Sequence, residues 1–201
     1  TASETALLID VSYSMLMNDA LHAGKKVALA LHRLIETKYP QDTLHLVAFR
    51  SNAKLIKAED LPSIVSLTYF MEHGTDIKEA LRFARQLLGS HKTTNRQIIL
   101  ITDGEPTAAT LDRGGRLHSG WGSALLHSRI VHETLKEVKR CTQSGIKINT
   151  FMLGADFYRQ GFIDQLSRLN TGRVFYTSPD QMGNYIMVDY IANKRKRIGR
   201  A

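Results

Sequence analysis

Cysteine is almost absent. Cys141 is the single thiol in 201 residues, which excludes a disulfide framework and any multi-cysteine zinc site. Proline is scarce too, at four residues, and with 43% apolar residues the composition excludes collagen-like, low-complexity and disordered chains. Apolar runs are short, Ile98–Ile101 being typical, against the roughly 20 residues that a membrane-spanning helix needs. There is no G-x-x-x-x-G-K-[ST] phosphate loop, no G-x-S-x-G elbow and no H-E-x-x-H pair. Nucleotide binding by a P-loop, α/β-hydrolase chemistry and zincin chemistry therefore have no residues to stand on. The eight histidines are scattered, and His127 and His132 fall off a common helical face. The chain starts at Thr1, with no basic leader and long apolar stretch behind it. We expect a domain cut from a longer protein, without a signal peptide, in a reducing, cytoplasmic setting.

What the sequence does have is positive charge: 27 basic against 19 acidic residues, a balance of +8. Its placement matters more than its size. Lys194, Arg195, Lys196, Arg197 and Arg200 lie within the last eight residues, and without those five the balance falls from +8 to +3. The expected organisation is one domain over 1–193 and a basic tail over 194–201, the tail being a solvated end or a recognition element. At this length a single core buries roughly 70% of the unfolded surface.

Short apolar runs alternate with longer amphipathic segments. Ala6–Ile9, Leu44–Phe49, Gln97–Thr102, Lys147–Leu153 and Val174–Thr177 read as strands. Ala53–Ile56 reads as a short strand that pairs with Leu44–Phe49 as a hairpin. Helices are expected from about Val27 to Tyr39, over Ile77–Leu88, over Ile130–Cys141, over Phe162–Leu169, and from about Pro179 to Ala192. Between Glu105 and Ser123 the sequence is polar and glycine-rich and reads as a loop. The alternation predicts an α/β fold, doubly wound: a mainly parallel central sheet with helices on both faces and one short antiparallel edge strand.

In such a sheet, ligands bind beyond the C-terminal ends of the strands. Two strands end there in carboxylates: Asp10 opens Asp10-Val11-Ser12-Tyr13-Ser14, and Asp103 opens Asp103-Gly104-Glu105-Pro106. A third turn, His73-Gly74-Thr75-Asp76, precedes the helix at Ile77, where Thr75 can also serve as a partial cap. Asp and Ser after strands also cap helices and form turns without any ligand. Their joint placement favours an oxygen-only cage, which suits a hard cation such as Mg²⁺.

These residues resemble the metal-ion-dependent adhesion site of von Willebrand factor type A (VWA) domains: an Asp-x-Ser-x-Ser loop, a Thr in a second loop and an Asp in a third. Asp10, Ser12, Ser14, Thr75 and Asp103 match that pattern in order, and the resemblance covers essentially the whole chain. It implies a Rossmann-like fold and a bound Mg²⁺ or Mn²⁺. Ser12 and Ser14 would be direct ligands, Thr75 or Asp103 would bind directly or through water, and Asp10 would act through water. The open position would take a Glu or Asp carboxylate of a protein partner. Asp10–Met15, Lys25–Leu31, Ile101–Thr107 and Val188–Tyr190 are similar to prokaryotic intracellular VWA proteins of the CoxE-like and magnesium chelatase D type. That likeness implies a MoxR- or chelatase-type AAA+ ATPase as partner.

Around the five ligands, Asp76 either caps the helix or stands behind the metal. Gly104 and Glu105 either rim the site or form a solvated turn, and Trp121 either meets a partner or packs under its loop. The expected function is a metal-dependent protein-binding module with no covalent step of its own. Two alternatives stand beside it. A metal-assisted phosphatase would use Asp10 as nucleophile, but Ser12 occupies the position of its second Asp and no partner Lys is evident. A nucleic-acid-binding protein would use the tail, but aromatics are not interleaved with its basic residues.

Overall fold

The structure is a computed structural model that describes residues 2–17, 19–64, 74–89, 95–119, 123–153 and 160–198, the side chains of 160 and 193–198 excepted. Its elements in chain order are β1 (Glu4–Asp10), α1 (Tyr13–Met17), α2 (Ala20–Lys38), β2 (Thr43–Phe49), β3 (Ala53–Ile56), a 3-10 turn (Ala58–Ser63), α3 (Ile77–Gly89), β4 (Arg96–Thr102), β5 (Ala108–Thr110), β6 (Arg116–His118), α4 (Ala124–Gln143), β7 (Lys147–Leu153), α5 (Gln160–Leu169), β8 (Val174–Thr177) and α6 (Met182–Ile198).

Six strands form the central sheet in the order β3-β2-β1-β4-β7-β8. All neighbours are parallel except β3, which runs antiparallel to β2 at one edge. The order reverses between β1 and β4, since the chain leaves β1 towards β2 and later returns to β1's other side. That crossover is the switch point where doubly wound sheets bind their ligands.

The β1 side chains alternate between two cores. Ala6 and Leu8 face one core with Ile98, Leu100 and Ile148, covered by α3, α4 and α5. Leu7 and Ile9 face the other with Ile99, Ile101 and Phe151, covered by α2 and α6. Burial on both faces explains why these strands read as continuous apolar runs rather than alternating ones. Each such Leu or Ile contributes about 1.5–3 kcal/mol on leaving water.

Helix ends follow local chemistry. On α3, Ile77, Ala80, Leu81, Ala84 and Leu88 form one buried stripe. The Ser123 hydroxyl accepts the Leu126 N–H to start α4. At its end, Gly145 takes the left-handed conformation (φ 71°). The Gly145 N–H then reaches the Thr142 carbonyl, and the Ile146 N–H that of Cys141, closing a Schellman motif.

Four expectations are corrected. Helix α2 starts at Ala20 rather than near Val27. The stretch read as loop from Glu105 contains an antiparallel hairpin, β5–β6. Helix α4 starts at Ala124 rather than Ile130. Helix α6 continues to Ile198, past the Ala192 expected as its end. Among the described residues no helix is long and apolar enough to cross a membrane.

Candidate functional site

The parallel register of β1 and β4 sets Ile9 beside Ile101, so the next residues on each strand, Asp10 and Thr102, meet at the C-terminal edge. Asp10 is fully buried there. Its Oδ2 accepts the Thr102 hydroxyl at 2.7 Å, and its Oδ1 accepts the Ser12 N–H at 2.9 Å, which curls the chain into α1. That curl brings the Ser12 and Ser14 hydroxyl oxygens to 3.1 Å from one another. Ser14 in turn donates to Asp103 Oδ1 at 3.0 Å, across 89 positions of sequence. Ser12, Ser14 and Asp103 thus set three oxygens in a row at the switch point.

Burial pushes the Asp10 carboxyl up to about 6, against the Thr102 hydroxyl and the Ser12 N–H that hold it down; the Asp103 carboxylate adds to the rise. Two carboxylates side by side repel, and a cation between them would relieve both. The spacing fits one. Neighbouring ligands of an octahedral Mg²⁺ with 2.0–2.1 Å bonds lie about 2.9 Å apart, against 3.1 and 3.0 Å here. Among the described residues no three His, Cys, Asp or Glu side chains converge; the further oxygen donors beside Asp103 are the Ser12 and Ser14 hydroxyls.

Thr75 reaches this edge by another route. The hairpin β5–β6 holds it: the Thr75 carbonyl accepts the Thr107 and Ala108 N–H groups at 3.0 and 3.2 Å, and its own N–H donates to Thr107 Oγ1 at 2.8 Å. Gly74 adopts φ 116°, and a Cβ there would come within 2.9 Å of the His118 ring, so the hairpin seats directly on this turn.

Asp76 is a fully buried structural hub. Its Oδ1 accepts the Glu79 N–H at 2.9 Å and caps α3. Its Oδ2 accepts the N–H and the hydroxyl of Thr110 at 2.8 and 2.7 Å, with the Arg116 guanidinium 3.8 Å away. Burial raises its carboxyl above the usual range, while the Glu79 and Thr110 bonds oppose the rise. Two residues on, the buried Lys78 ammonium lies 3.0 Å from both Asp112 and Glu133, tying α3 to the hairpin tip and to α4. The Arg140 guanidinium and Lys78 hold the Asp112 carboxyl well below the ordinary range.

Glu105 turns away from the three oxygens. It lies 2.8 Å from His127 Nε2 and accepts the Phe162 N–H at the start of α5. The Gly104 N–H donates to Thr102 Oγ1 at 3.3 Å, closing the tight turn after β4. Trp121 lies outside the described residues. Tyr13 and Met17 on α1 and Leu125 at the start of α4 stand exposed, Leu125 at 87%. Thr102, Thr107 and Thr110 have structural roles that sequence patterning could not assign, because each acts on a residue far away in sequence. For Thr102, β1–β4 pairing was the available signal.

Fold and residue pattern together are those of a VWA domain. The chain belongs to the family described as Rv0959-like protein, vWA domain, whose model matches residues 3–191. It is 32% identical over 196 residues to the uncharacterized protein Rv0959 of Mycobacterium tuberculosis, covering 98% of this chain and 29% of that protein. The same figures hold for the uncharacterized protein Mb0984 of Mycobacterium bovis. The chain therefore spans less than a third of these curated relatives. Among solved structures, BatB of Bacteroides thetaiotaomicron superposes with a TM-score of 0.68 at 18% identity, over 96% of this chain and 99% of that one. The minor pilin PilB of Streptococcus sanguinis gives 0.69 at 15% identity, over 98% and 61%. The SpRpn10 VWA domain gives 0.56 at 14% identity, over 89% of each chain. At these identities the likeness is one of fold.

Proposed function

We propose that this domain binds Mg²⁺ or Mn²⁺ and uses the ion to dock a Glu or Asp side chain of a protein partner. The observation that carries the reading is the row of three oxygens, Ser12 Oγ, Ser14 Oγ and Asp103 Oδ1, spaced 3.1 and 3.0 Å at the crossover between β1 and β4. Ser12 and Ser14 bind the ion directly, Thr75 or Asp103 takes a further position directly or through water, and Asp10 acts through water. The bound ion supplies positive charge for an incoming carboxylate. Tyr13 and Met17, exposed on the same short helix as Ser14, suit contact with a protein surface.

Asp10 serves better as a support than as a nucleophile, since it is fully buried and both its oxygens accept hydrogen bonds. We therefore assign no covalent step to the domain. The reading extends to a MoxR- or chelatase-type AAA+ ATPase as partner in a cytoplasmic assembly, on the strength of the sequence resemblance. Co-purification with and without EDTA tests that extension.

The metal reading is tested by thermal unfolding against Mg²⁺. At a hundred times its dissociation constant, a ligand adds about 2.7 kcal/mol, which for a domain of this size raises Tm by roughly 5–10 °C. The wild-type protein shows that rise, and Ser12→Ala and Asp103→Ala lose it along with metal-dependent partner binding. A wild-type protein indifferent to Mg²⁺, Mn²⁺ and EDTA overturns the reading.

A further inference from the structure

Helix α4 sorts its charges by side. Its acids are spent within the fold: Glu137 is fully buried against Arg85 and Arg140, and Glu133 is held by Lys78 and Lys136. Its His132, Leu135, Lys136 and Lys139 fall at i, i+3, i+4 and i+7, a single stripe that faces Arg168 and Leu169 of α5 across a groove of about 310 Å³. Leu169, half-buried, gives this groove most of its apolar lining, and Leu135, 9% exposed, forms part of its floor. Lys139 and Arg168 are exposed beside it and make no ion pair with any described residue. The groove is therefore apolar inside and cationic at its margin.

We propose that this groove docks an acidic amphipathic segment of a protein, lying along the two helices with aliphatic side chains on Leu135 and Leu169 and carboxylates towards Lys139 and Arg168. Charge complementarity selects an acidic partner. The apolar lining selects a protein over a nucleic acid, because no aromatic ring lines the groove to stack a base. The groove is also separate from the candidate metal site. Helix α4 runs back from the C-terminal edge of the sheet, and its stripe begins two turns along, so docking here needs no metal.

Fluorescence anisotropy tests this with the 201-residue chain in EDTA and a labelled helical peptide built from Glu and Leu with one apolar face. Saturable binding is expected, weakened by about tenfold or more in a Lys139→Glu/Arg168→Glu variant, because like charges then face each other. A Lys139→Gln/Arg168→Gln variant should show a smaller loss. Both positions are exposed, so circular dichroism and Tm should match the wild type. Peptides of Lys and Leu, or of Glu and Ser, should not bind. The proposal is overturned if the Glu/Leu peptide fails to saturate, if the Glu/Ser peptide binds equally, or if charge reversal leaves binding unchanged. It is also overturned if a single-stranded oligonucleotide binds in place of the peptide and is lost in the same variant. Failure of Mg²⁺ to stabilise the domain would leave all of these outcomes unaffected.

Discussion

Replacing Asp76 with Ala isolates what holds the Thr75 turn in place. The substitution removes the α3 cap, a loss of about 1 kcal/mol. It also leaves the Thr110 N–H and hydroxyl without the acceptor now 2.8 and 2.7 Å away, a further cost of about 1–3 kcal/mol for partly buried donors. Against this, burial already disfavours the charged carboxylate, so removing it returns part of the cost. The net loss is about 2 kcal/mol, which lowers Tm by roughly 4–8 °C in a domain of this size. Asp76→Asn should fall between, since its single acceptor oxygen can serve Glu79 or Thr110 but not both. Calorimetry with and without Mg²⁺ reads the result: both variants lose stability in EDTA, and both still respond to Mg²⁺. An Asp76→Ala protein with wild-type stability in EDTA but no response to Mg²⁺ would refute the structural role and place Asp76 at the metal.

Two further outcomes follow from the packing. Asp112→Asn should lower the urea midpoint at neutral pH. The Asp112 carboxyl is held well below its ordinary value, so its contribution is complete above about pH 5 and shrinks as pH falls towards the depressed value; the gap between the two proteins should narrow steadily below about pH 4, and a gap as wide at pH 2 as at pH 7 would sink the linkage. Gly172→Ala should cost at least about 2 kcal/mol, because an added Cβ would overlap the Ile148 carbonyl. A neutral Gly172→Ala, measured by urea midpoint at constant slope, would mean that the turn after α5 does not pack on β7 as described.

A strand buried on both faces announces itself as an apolar run, which is why Lys147–Leu153 coincides with β7 residue for residue; Val174–Thr177 coincides with the half-buried edge strand β8 because its β-branched and aromatic residues carry the signal. Elements missed in the sequence are those whose signal is too short or faces the wrong way. Helix α1 is five residues long, and β5 and β6 are three each, separated by the polar tip Asp112-Arg113-Gly114-Gly115, so no period can build up. The first turns of α4 carry Leu125 into solvent and break the apolar stripe that begins at Ile130. The candidate ligands stood out because Asp10 and Asp103 sit at the C-terminal ends of strongly apolar strands, the edge where doubly wound sheets bind their ligands. Thr102 did not, because its hydroxyl partner lies 92 positions away.

The three loops of the candidate site are held in two different ways. The Asp10 and Asp103 loops extend directly from adjacent strands and are joined by the Thr102 and Ser14 bonds, so their spacing is fixed by the β1–β4 register. Among the described residues, no strand leads into the Thr75 turn. Its position depends on the β5–β6 hairpin above it, on the Arg50 carbonyl that accepts the Asp76 N–H at 2.7 Å, and on Arg116, which reaches Asn52 beyond β2. The hairpin in turn is tied through Lys78, Asp112 and Arg140 to α3 and α4. Loss of the hairpin contacts should therefore displace Thr75 while leaving Ser12, Ser14 and Asp103 together. Of the five candidate ligands, Thr75 is the one whose position is set by helix–hairpin packing rather than by the sheet.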